Sequence, residues 1–174
     1  MSLPRARHQT FIINGKRIVF PPAAMLHLRK NQKSVWQGLA KCPWPVLAVA
    51  PVVYAAIIPV LILDAFISAY QAICFPVLGI AKVRRIDFIS LDRGQLPYLN
   101  WVERFNCDYC AYFNGVVAFS RELASLTEQY FCPIRHALAP RGMNERSKDF
   151  LPYGDGKDYH ARQKLMQAKL KSPC

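Results

Sequence analysis

Four side chains of this sequence have the types and spacing of a metal site: Cys107 and Cys110 form a C-x-x-C pair, and after 21 intervening residues Cys132 and His136 form C-x-x-x-H. Thiolate and imidazole ligands in a Cys3His set suit Zn2+ or iron, and paired knuckles joined by a structural element commonly build a tetrahedral shell. A helix beginning at Cys107 places Cys107 and Cys110 on one face. A straight helix over 110–130 would hold the two half-sites about 30 Å apart at about 1.5 Å per residue, so closure needs a break, for which Asn114-Gly115 is the candidate. The same residues admit three other readings. They could be buried inert thiols, a disulfide from Cys107 or Cys110 to Cys132, or a redox pair activated at a helix start. A reducing compartment disfavours the disulfide, and His136, between Arg135 and Ala137, would then serve to cap or pair.

The six cysteines also include Cys42 before Pro43, Cys74 in Tyr70-Gln71-Ala72-Ile73-Cys74-Phe75-Pro76, and Cys174 at the end. For Cys74 packing is the preferred role, and Cys42 and Cys174 have no partner at an interpretable spacing. Ser172-Pro173-Cys174 is not a prenylation box, because nothing follows the cysteine. Glu103, Glu122 and Glu128 do not make a di-iron set, since no Glu has a His three residues on. No phosphate loop, nucleophile elbow or H-E-x-x-H motif is present, so an enzymatic function has no positive support.

The elements that must position these residues begin with an apolar block over 44–81, whose stretch 46–63 is uninterrupted and whose one charge is Asp64. About 20 such residues cross a bilayer as a helix, which predicts one span. Similar numbers of Lys and Arg on each side fit instead a helical hairpin, or a span followed by an interfacial segment, with both termini in the cytoplasm. Pro51, Pro59 and Pro76 interrupt the block, so shallow insertion is an alternative to crossing. The first 40 residues lack the pattern of a cleavable signal peptide, leaving the block itself as the targeting signal.

Around the block the chain divides into a basic N-terminal region (1–43), the membrane segment (44–81), a helical Cys/His domain (82–148) and a basic tail (149–174). Residues 10–20 read as a β-hairpin about Asn14-Gly15, and 23–41 as an amphipathic helix that lies on the membrane or packs on the C-terminal domain. Partial alternation predicts a short strand over 83–91, apolar spacing predicts helix from Tyr98 to Tyr130, and 157–171 reads as a basic helix. The fold class expected is mainly α, with a membrane-inserted helix or hairpin, a small helical Cys/His domain and a short N-terminal β-hairpin.

A net charge of +12 over 174 residues fits either nucleic-acid phosphates or anionic lipid headgroups. Lys30, Lys33 and Lys41 before the block and Lys82, Arg84 and Arg85 after it favour lipid, and nucleic acid is the weaker expectation because no binding motif accompanies the charge.

The segment over 70–137, with Y-Q-A-I-C-F-P-x-x-G-I-x-K-V-R-R, D-R-x-x-L-x-Y-L-N, N-C-D-Y-C-x-Y-x-N-G and T-E-Q-Y-F-C-P-I-R-H-A, resembles a family of uncharacterised proteobacterial membrane-anchored proteins, weakly so over 150–159. That resemblance implies a bacterial inner-membrane setting and no mechanism. It places Cys74, Cys107, Cys110, Cys132 and His136 inside motif positions and leaves Cys42 and Cys174 outside. Three functions are therefore expected in order: a membrane-anchored accessory protein with a Cys3His zinc or iron site, a metal-free structural or adaptor subunit of a larger membrane complex, and a thiol redox protein.

Overall fold

In a computed structural model the described residues are 11–14, 17–32, 34–40, 42–138 and 140–171. The chain is mainly helical: strands β1 (Ile12–Asn14) and β2 (Arg17–Val19) precede helices α1 (Pro22–Lys30), α2 (Val35–Ala40), α3 (Trp44–Ala55), α4 (Ile57–Leu78), α5 (Trp101–Phe131) and α6 (Tyr159–Ala168). The strands pair antiparallel, with Ile12 opposite Val19 and Asn14 opposite Arg17. That register moves the connection one residue beyond the expected Asn14-Gly15 turn, to residues 15 and 16, which lie outside those described.

Local chemistry explains the helix boundaries. Pro22 opens α1, where its missing N–H costs nothing, and His27, Arg29 and Lys30 occupy the last turn, where cations oppose the helix dipole. The expected helix over 23–41 is thus two helices, α1 and α2. In the apolar block, Pro59 would drive its ring into the carbonyl of Ala55 in a continuous helix, and the block breaks at that point, between α3 and α4. Helix α4 then runs through Asp64 without a turn. It stops two residues after Pro76 in a Schellman motif, with Gly79 at φ +68°, Gly79 N–H donating to the Pro76 carbonyl at 3.3 Å and Ile80 N–H to Phe75 at 2.9 Å. Helix α5 starts at a capping box. The Asn100 Oδ1 accepts from Val102 and Glu103 N–H at 3.0 Å each, while Glu103 accepts from Asn100 N–H at 2.9 Å.

The chain forms two compact units, one from 1–57 and 89–114, the other from 58–88 and 115–174. In the first, Ile18 N–H donates to the Gln95 side chain at 2.8 Å and Gln32 donates to the Leu99 carbonyl at 3.0 Å. Tyr54 of α3 meets α5 through a hydrogen bond to Asn106 and ring contacts with Phe105 and Tyr109. The second unit has an apolar core of Phe75, Ile80, Phe119, Leu123, Leu126 and Leu170. Its tail is tied in by Ala81 N–H to Leu170 at 3.2 Å and by Leu151 N–H to the Pro133 carbonyl at 2.8 Å.

The expected strand over 83–91 is replaced by a 3-10 turn at Arg85–Asp87. The Gln71 amide takes both backbone groups of Val83, accepting from its N–H at 2.8 Å and donating to its carbonyl at 3.2 Å. That stretch is therefore tied to a helix side chain rather than to a second strand.

Candidate functional site

The C-x-x-C pair lies on α5 in the first unit, with Cys107 half-buried and Cys110 exposed; Cys132 and His136 belong to the second unit, past the end of α5. Helix α5 is continuous from Trp101 to Phe131, so the break that closure of a Cys3His shell would need at Asn114-Gly115 does not occur. Asn114 stays in the helix and donates from its amide to the Cys110 carbonyl at 2.8 Å. His136 is 58% exposed and faces Glu128 with Nε2 4.0 Å from Oε1. Among the described residues no group of three or more His, Cys, Asp or Glu side chains is close enough to hold a metal ion.

A polar groove that the sequence did not reveal lies within the second unit. Arg121, Ser125 and Glu128, along one side of α5, face His136, Asn144 and Ser147 across a cavity of about 410 Å³. Ser125 is 3% exposed, and its hydroxyl has no hydrogen-bond partner. Such a buried, unanswered donor is uncommon, because leaving a polar group unpaired costs about 1–3 kcal/mol. Around it the cations are already committed. Arg121 donates to the Gly142 carbonyl, Arg146 pairs with Glu122, and Arg135 donates to the Lys148 carbonyl. Ser, Asn and Arg are common surface types, and these are spread over 27 positions from 121 to 147, so no motif could have flagged them.

The third feature is the apolar helix. Trp44–Leu78, the 35-residue helical stretch that α3 and α4 make up, is long and apolar enough to cross a membrane, and only 6% of its most apolar window is buried. Its charge is answered within the second unit: Arg85 holds Asp64 with Nε to Oδ1 at 3.0 Å and Nη2 to Oδ2 at 2.5 Å, and Ser68 adds a contact to Asp64 at 3.4 Å. The bidentate fork suits a carboxylate that is only 13% exposed. Sequence reading had Asp64 as the one charge of the apolar block and Arg85 in its basic flank, without pairing them, because 21 residues separate the two.

Outside this region Asp155 is held below the usual carboxylate range, by its hydrogen bond from Arg162 at 2.7 Å and then by that from the Lys157 N–H. The described residues thus offer an apolar helical stretch that is mostly exposed, basic residues following it in the chain and, in the second unit, a polar groove. No family model, curated protein or solved structure matches the chain.

Proposed function

We propose that this chain is a membrane-anchored adaptor of a bacterial inner-membrane complex, held in lipid by Trp44–Leu78 and offering the groove of its second unit to a partner. The observation that carries the reading is the exposure of an apolar helix of 35 residues with 6% of its most apolar window buried. In water such a surface is far larger than the few hundred Å² that soluble monomers leave open, so a lipid or protein cover is required. Basic side chains after it, Lys82 and Arg84, supply charge that anionic headgroups attract, worth about 1 kcal/mol each near the surface, while Arg85 is engaged by Asp64. The groove supports a contact there, because Arg121, Glu128, His136 and Asn144 set donors and acceptors around one open hollow.

Flotation tests the reading. Full-length protein should rise with vesicles of phosphatidylethanolamine and phosphatidylglycerol, and Ile62→Asp/Phe66→Asp, which alters two exposed positions, should lose most of that binding while keeping its helical circular dichroism. A wild-type chain that is monodisperse in buffer without detergent and stays at the bottom of the gradient would end the proposal. Elemental analysis separates it from the metal-centred alternative, since one zinc or iron per chain, lost in Cys107→Ser/Cys110→Ser, would put a metal site in place of a plain adaptor.

A further inference from the structure

Resting on the membrane reading above, we infer that the apolar helix α4 lies in the plane of one leaflet and does not cross the bilayer, so that the partner of its exposed face is the acyl region beneath anionic headgroups.

In the second unit α4 has 22 residues, about 33 Å at 1.5 Å per residue, which would match a hydrocarbon core of about 30 Å. A crossing α4 would put its middle at the bilayer centre. Yet its middle is where the returning chain is attached, with Gln71 gripping Val83 and Asp64 gripping Arg85. Arg84, between those two contacts, has a side chain 77% exposed, and Asp87 is exposed nearby, 3.8 Å from it. A crossing would immerse this open charged strip at the depth where charges are least tolerated. The opposite side of α4 differs. Ile58, Ile62, Phe66, Ile73 and Val77 are all exposed, and at 3.6 residues per turn they fall on one stripe about 100° wide along the whole helix. Beside it open two apolar hollows of about 410 and 320 Å³, both touched by Tyr70 and Phe131, into which acyl chains fit. One side greasy for its whole length and the other charged at its centre is the pattern of an interfacial helix.

Depth measurement on the full chain in vesicles of phosphatidylethanolamine and phosphatidylglycerol decides the matter. Nitroxide labels at Ile58→Cys, Ile62→Cys, Phe66→Cys, Ile73→Cys and Val77→Cys, one at a time with the native cysteines changed to serine, should all report nearly the same depth, about 5–10 Å below the headgroup boundary. A label at Arg84→Cys should report water. Depths that rise to the bilayer centre and fall again along the series would overturn the inference while leaving membrane anchoring intact. Stripe labels in water on protein that still floats would overturn it too, in favour of a protein cover on this face; protein that does not float removes the membrane reading itself. Should the serine background not fold, oriented circular dichroism of the unaltered chain in stacked bilayers separates the same two orientations: a retained 208 nm band is the in-plane result, and its loss is the crossing result.

Discussion

One helix serves two regions that are built in opposite ways. In the second unit the C-terminal half of α5 buries Val116, Phe119, Leu123 and Leu126 and completes a core with Phe75, Ile80 and Leu170; the N-terminal half, in the first unit, has no buried residue among those described. There, Tyr54, Asn106 and Tyr109 connect helices by hydrogen bonds and ring edges while Trp44, Trp101 and Phe105 remain exposed. The difference teaches that the second unit has a contiguous apolar core of its own, whereas among the described residues of the first the burial of apolar side chains is slight, at Phe20 and Pro97.

Core truncation should break the contrast most sharply. Phe119→Ala removes a fully buried ring and should cost about 3–5 kcal/mol, whereas Trp101→Ala in the first unit should change stability by under about 0.5 kcal/mol, both read by thermal melts in detergent micelles. Equal losses would show that the first unit has an interior after all. Next in size is Arg85→Ala, which leaves the largely buried Asp64 without its fork. Because Arg85 itself is 45% exposed, water and neighbouring groups soften the loss to about 1–3 kcal/mol, less than for a fully buried pair. Asp64→Asn in the same chain should recover part of it, since no uncompensated charge then remains.

Smaller still is Asn100→Ala, which opens the capping box of α5 and should cost about 1 kcal/mol. Amide hydrogen exchange should localise that fraying to the first turn, at Val102 and Glu103. The smallest effect belongs to Asp155. Its folded-state pKa is depressed, so the contribution is present above the unfolded value near about pH 4 and is lost as pH falls through the lower folded value. Asp155→Asn should therefore lower the melting temperature slightly at neutral pH, where the ionised carboxylate contributes, and converge with the unaltered chain as pH falls below about 4; the neutral-pH loss is small, as suits an exposed pair.

The hairpin, the long helix up to Phe131 and the apolar block were legible because each rests on local periodicity: alternating Ile, Val and Phe near a Gly, apolar residues three and four apart, and a run without charge. The helix start at Asn100 was legible in principle too, as Asn followed three residues later by Glu, but spacing alone put it two residues early. The strand over 83–91 was misread because its alternation is real while its partner is a side chain, Gln71, which no strand pattern encodes. The metal expectation came from motif spacing, and motif spacing does not tell whether Gly115 bends a helix. Helix α5 continues through Gly115, which is buried.

Composition and order of residues sufficed to decide that the chain is mainly helical, basic and carries a stretch long and apolar enough to cross a membrane, since these follow from side-chain transfer free energies and from bonds made within a few residues. Only tertiary structure decided that Asp64 meets Arg85, that Val83 returns to Gln71, and that Ser125 faces His136 and Asn144 across a groove. Those pairings join residues far apart in the chain, and their geometry depends on where a helix stops and which way the following segment turns, which no short window of sequence contains.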